Sequence, residues 1–263
     1  MSSTHSEVRT RRWKPRRLAF QGVGLVVLAV AVTGCTKGEV LRLGMPEPIT
    51  TQAETILSLW QGSWIAAFCV GALVWGLIFW ASLFHRKRSD QLPPQVRYNL
   101  PIEVLYMVVP FIMVLVLFYF SVKDESEINH LSKNPDVVVN VVGFQWSWEF
   151  NYPQRDVTVV GHTGGKPTLV IPAHRTVRFN LTSADVIHSF WVPAFLFHRD
   201  VNPGHPNHFE VTPTREGTFA GKCAELCGAY HDRMLFRVRV VSPQEFQAFI
   251  ASHHKKSLAG GTK

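Results

Sequence analysis

Charge is missing from two long stretches of this 263-residue chain: no Asp, Glu, Lys or Arg occurs from Thr55 to Phe84 or from Val104 to Val122. Each is long enough to cross the apolar layer of a bilayer, which takes about 20 residues. A usable excess of basic charge is missing as well. The chain has 27 Lys and Arg against 19 Asp and Glu, but six of the basic residues stand before residue 35. From Lys123 onward 15 basic residues face 13 acidic ones. That balance excludes a phosphate-binding face, and with it nucleic acid as a partner. Cysteine is scarce too. Of four, Cys69 reads as a thiol buried in a helix and Cys35 lies beside an apolar run, so only Cys223 and Cys227 form a close pair.

That pair belongs to CAELCGAYHDRM, Cys223 to Met234, where two thiols, the imidazole of His231 and the thioether of Met234 stand within one short loop. Soft sulfur donors with imidazole and a weak Met ligand select copper for electron transfer, and zinc would rarely take the Met. A Cys223–Cys227 disulfide is the competing reading, but it gives His231 and Met234 no purpose at that spacing. A copper site also needs a ligand from elsewhere, and His188 in DVIHSFWVP is the candidate.

The chain opens with RTRRWKPRR, Arg9 to Arg17, then an apolar run ending at VTGC, the layout of a secretory leader over residues 1–34. VTGC resembles the bacterial lipobox, in which the cysteine, here Cys35, carries lipid; an uncleaved anchor is the alternative. Lys37 to Glu54 reads as an exposed lead-in. Two membrane spans follow at about 60–84 and 104–122 within a second region, 35–122. The basic HRKR at 85–88 marks the loop between them as cytoplasmic. Both ends of the hairpin then lie outside the cytoplasm. Glu103, at the cytoplasmic start of the second span, is either a helix-start charge or part of a proton route.

The third region, 123–263, changes periodicity. In FQWSWEFNY the residues Phe144, Trp146, Trp148, Phe150 and Tyr152 alternate with polar ones, which predicts a strand with one aromatic face. Short β-like runs at TLVI, TVRFNL, HFEV, GTFAGK and MLFRVRVV predict a sandwich or barrel, with the Cys223–Met234 loop between the last two strands. Ser242, Pro243 and Glu245 open a short final helix, and the tail from His253 is expected to be disordered.

Two membrane helices, an outer β domain and the motifs CAELCGAYHDRM, DVIHSFWVP and GFQWSWEF together resemble subunit II of the haem-copper cytochrome c oxidases, over about Thr55 to Val241. The resemblance implies an α+β membrane protein, a two-helix transmembrane hairpin followed by a cupredoxin-like β-sandwich, in a bacterial cell membrane with the C-terminal domain outside. It implies a dinuclear copper centre bridged by Cys223 and Cys227. His188 and Met234 would complete one copper, and His231 with the main-chain carbonyl of Glu225 the other. The Glu225 side chain would bind magnesium shared with subunit I. Trp146 matches the residue through which electrons arrive from cytochrome c, and Glu103 the acid at the mouth of a proton channel. Subunit I, other oxidase subunits, membrane lipid and cytochrome c are the implied partners.

The β domain lacks an acidic face for steering a basic cytochrome, which suggests a membrane-held donor. Two rivals remain at this stage. A membrane-anchored copper chaperone or thiol reductase would show strand–helix–strand units around its cysteines. A quinol oxidase subunit would lack the Cys, His and Met set.

Overall fold

The computed structural model describes residues 37–87, 89–91 and 95–260. The expected leader, residues 1–34, and Cys35 lie outside that range. The chain divides after Gly44. The first unit contains, among its described residues, one short helix, α1 (Lys37–Leu41).

The second unit begins with two long helices, α2 (Thr51–Phe84) and α3 (Leu100–Ile128). At 1.5 Å per residue both exceed the ~30 Å apolar layer of a membrane. Both are apolar enough to cross it, and their apolar cores are unburied in the chain alone. Asn99 caps α3, accepting from the backbone N–H of Ile102, and Pro101 occupies its first turn, where its missing N–H costs nothing.

The last part of the lead-in is not exposed as its polarity predicts, although much of the segment before Ile49 is. Thr50 caps α2 by accepting from Ala53 N at 3.0 Å, and Ile49, Thr50 and Ala53 are fully buried. Ile49 N donates to Ala194 O, Thr51 N to Thr212 O, and Thr214 N back to Ile49 O. Helix α2 therefore starts nine residues before the predicted span, already bonded into the β domain.

Ten strands form that domain: β1 (Val137–Phe144), β2 (Ser147–Tyr152), β3 (Val157–Val160), β4 (Thr168–Pro172), β5 (Val177–Ser183), β6 (His188–Val192), β7 (Phe197–Val201), β8 (Asn207–Val211), β9 (Gly217–Cys223) and β10 (Leu235–Val241). They make two five-stranded sheets, ordered β3-β2-β1-β5-β8 and β4-β10-β9-β6-β7. Pairing is antiparallel except for β1 with β5 and β10 with β4. Strict alternation drives the assembly. In β10, Phe236, Val238 and Val240 are buried while Arg237 and Arg239 face out. Trp148, Phe150, Phe179, Phe190 and Phe209 join them between the sheets. Each such side chain contributes about 1.5–3 kcal/mol on burial.

The aromatic run around Trp146 is not one strand. Phe144 pairs with Ser147 and Gly143 with Trp148, so Gln145 and Trp146 form a two-residue turn between β1 and β2. Alternation continues through the turn and conceals it. The final helix, α4 (Pro243–Gly260), starts as predicted, with Glu245 N donating to Ser242 Oγ at 3.2 Å. It then continues to Gly260, through most of the segment expected to be disordered. Among the described residues no strand–helix–strand unit surrounds the cysteine loop, which counts against the thiol-reductase rival.

Candidate metal centre

Strand β9 ends at Cys223, β10 begins at Leu235, and the intervening loop is tied down at both sides. Cys223 N donates to Met234 O at 3.1 Å and Ala224 N to Ser189 O at 3.0 Å. The indole of Trp148 adds a 3.4 Å bond to the same Met234 carbonyl. These bonds bring the loop over the start of β6, where His188 is fully buried.

The sulfurs of Cys223 and Cys227 are 3.9 Å apart, far from the ~2.05 Å of a disulfide. Both cysteines are free, so the disulfide reading fails. One donor atom each from His188, Cys223 and Cys227 lies within 4.8 Å of the others. His188 Nδ1 is 3.9 Å from Cys223 Sγ. His231 Nδ1 is 3.6 Å and Met234 Sδ 3.7 Å from Cys227 Sγ. The Glu225 carbonyl is 3.2 Å from Cys223 Sγ. Buried thiols with imidazole and thioether at this range are a donor set that fits copper.

The two thiols are electrostatically unequal. Burial opposes ionisation of Cys223, but His188 and the backbone around Ser189 and Glu225 bring it down to about 7. Burial, and then the charge on Cys223, push Cys227 up to about 12. Cys223 is therefore the easier of the two to ionise and Cys227 the harder.

His188 has its own support. Its Nε2 lies 2.8 Å from Asp185 Oδ1, which leaves Nδ1 facing Cys223. A metal-binding histidine is commonly held in this way, its far nitrogen on a carboxylate. Burial works against protonated His188, yet its contacts with Cys223 and Asp185 raise its pKa. Burial likewise opposes charge on Asp185, but the N–H groups of Gln145 and Val186, together with His188, lower its pKa below the ordinary carboxylate value. The sequence motifs around the donors give Asp185 no role of its own. Its position three residues before His188 is the signal that could have assigned it.

Trp146 sits over the loop, its indole N–H donating to Cys227 O at 3.2 Å and its ring edge-on to Tyr230 at 5.0 Å. Tyr230 and Leu226 are exposed at the same rim. The Glu225 carboxylate faces solvent. Glu103 lies apart from the loop, at the start of α3, where its carboxylate accepts from Asn99 N at 3.0 Å. It therefore has a helix-start role whatever else it does. Among the other histidines, His198 bonds Ser189 Oγ and His208 bonds Asn180 Oδ1.

Residues 164–241 match the family described as cytochrome C oxidase subunit II, periplasmic domain. The chain is 51% identical over 300 residues to the probable cytochrome c oxidase subunit 2 of Streptomyces avermitilis, covering 99% of this chain and 94% of that protein. It is 38% identical over 295 residues to cytochrome c oxidase subunit 2 of Mycobacterium tuberculosis strain H37Rv, covering 89% of this chain and 81% of that one. Among solved structures, the periplasmic domain of subunit II of cytochrome oxidase (CoxB) of Bradyrhizobium japonicum aligns at 30% identity with a TM-score of 0.43. That alignment covers 48% of this chain and 99% of that domain.

Proposed function

The chain belongs to the cytochrome c oxidase subunit II family, and from that membership and the cluster of sulfur and imidazole donors we propose how it serves as the electron-accepting subunit of the oxidase. It is a subunit of that respiratory complex, an oxidoreductase whose oxygen chemistry lies in a partner chain. The observation that carries the reading is the convergence of His188, Cys223 and Cys227 with the two sulfurs unbonded to each other.

His188, Cys223, Cys227, His231 and Met234, with the main-chain carbonyl of Glu225, would hold two copper ions. When bound, the pair would supply a one-electron store. The protein's own task is to keep the donors still and dry. Cys223, Cys227 and Met234 are buried, and both strands that flank the loop are sheet-bonded, so little rearranges when charge arrives.

Trp146 takes up the electron from reduced cytochrome c, at a rim where Leu226 and Tyr230 offer apolar contact. Its hydrogen bond to the Cys227 carbonyl joins the indole to the main chain of a ligand residue. The onward destination is the haems of subunit I, where oxygen is reduced to water and protons are moved. Glu103 serves the proton-channel mouth shared with that subunit, and the exposed Glu225 carboxylate holds magnesium at the same boundary. The hairpin crosses the membrane twice with the basic 85–88 loop in the cytoplasm, and the donor is membrane-held. Residues 1–34 are a leader, and Cys35 carries lipid after cleavage.

Metal analysis of the purified full chain tests this reading. Two coppers per chain, lost together when Cys223 or Cys227 is replaced by Ser, are expected. One copper per chain, or none after reduction and reloading, overturns it.

A further inference from the structure

The turn between β1 and β2 touches both halves of the donor cluster, and one residue makes both connections. The backbone N–H of Gln145 donates to Asp185 Oδ2 at 2.7 Å, while Asp185 Oδ1 holds His188 Nε2 at 2.8 Å. The side-chain amide of the same Gln145 donates to Cys227 O at 2.8 Å. That carbonyl also accepts the Trp146 indole at 3.2 Å, so two N–H donors converge on the main chain of one thiol ligand. Room for them depends on Gly228. Its φ of +121° favours glycine, and a Cβ there would sit 3.2 Å from both Gln145 Nε2 and Trp146 Nε1.

We infer that Gln145 is a positioning residue of the metal centre, holding the His188 side and the Cys227 side in one register from a single turn. The inference rests on the copper reading for its redox consequence, but the mechanical part stands without metal. Gln145 is bonded to the cluster through atoms that are not themselves donors to a metal. Its backbone orients His188 through Asp185, and its amide fixes the peptide between Cys227 and Gly228. The two N–H groups also draw electron density from the Cys227 main chain, which weakens donation by the residue and favours the reduced state.

Nothing in a periodicity reading points to Gln145. It occupies a polar position in an alternating aromatic run, where a solvent-facing side chain is expected. Gln145 is exposed as that position predicts, but the turn revealed by the Phe144–Ser147 pairing lets its amide reach the loop from the surface.

The test uses the full chain in detergent, with Gln145→Leu and Gln145→Glu. Both keep the backbone N–H that holds Asp185, and both remove the side-chain donor. The glutamate preserves size and so remains informative if the leucine variant fails to fold. In the copper-free, reduced chain, alkylation of Cys227 by iodoacetamide, followed by peptide mass spectrometry, should speed up about fivefold, the factor for losing a hydrogen bond of ~1 kcal/mol. With copper bound, the equilibrium for reduction should move about fivefold toward the oxidised form, and the visible spectrum should change at unchanged copper content. Asp185→Asn, which disturbs both His188 and the Gln145 backbone N–H but keeps the Gln145 amide bond to Cys227 O, should shift the spectrum at unchanged copper content.

Wild-type alkylation rates and wild-type spectra in both Gln145 variants overturn the inference. A wild-type chain that binds no copper overturns the copper reading instead, and the metal-free alkylation rates still decide the role of Gln145.

Discussion

The β-sandwich and the helical hairpin use the same aromatic residues in opposite ways. Phe190 and Phe236 are each 1% exposed between the sheets, whereas Phe79 on α2 is 59% exposed and Phe118 on α3 is 64% exposed. The sandwich supplies its own apolar surroundings. The hairpin borrows them from lipid and from neighbouring subunits, since two helices are too few to enclose a core. The lesson is that a hydrophobic residue has meaning only with its solvent: in one region it makes the fold, in the other it waits for a partner.

The largest effect should come from testing that contrast directly. Phe236→Ala should cost about 3–5 kcal/mol, because it empties a site packed against Trp148, Phe150 and Phe190. Phe118→Ala should leave denaturant unfolding of the β domain unchanged. Equal losses in the two variants would erase the distinction.

The joint between the regions comes next. Glu210, buried on β8, accepts from Arg178 Nε at 2.8 Å and from the N–H of Ser132 at 3.0 Å, just beyond the end of α3. Glu210→Ala leaves Arg178 without its carboxylate and should cost about 3 kcal/mol. The same change should raise proteolysis near Ser132, and a stable, uncleaved chain would show that the joint is held by other contacts.

Smaller stability effects are expected where function is most sensitive. Met234→Leu keeps volume in a buried position, so it should cost below about 1.5 kcal/mol. It should nonetheless alter the absorption and potential of the copper-loaded chain, and an unchanged spectrum would remove Met234 from the ligand set. Trp146→Phe, at the half-buried rim, should cost least of all, roughly 1 kcal/mol for its lost hydrogen bond. It should slow reduction by cytochrome c while the copper signal persists, and normal reduction kinetics would refute its uptake role.

The same division governs what could be read from the sequence. Uncharged length announces α2 and α3, and alternation announces β10, because both signals are local. The docking of Ile49 and Thr51 gives no such signal, since the carbonyls that bond them, on Ala194 and Thr212, are far away in the chain. In the donor cluster, the loop residues Cys223, Cys227, His231 and Met234 are legible from spacing. Of the supports, Asp185 has only its place three residues before His188 as a signal, and Gln145 has none, because it bonds Asp185 and Cys227 across gaps that only the sandwich closes. Residue chemistry is written where the ligands are, while geometry is written in the residues that hold them.

The measurement closest to the central claim is an electron paramagnetic resonance spectrum of the copper-loaded full chain after partial reduction. The account predicts one unpaired electron shared equally by two copper nuclei, seen as hyperfine splitting from both. Splitting from a single copper nucleus, with the second metal absent or isolated, would contradict a centre bridged by Cys223 and Cys227.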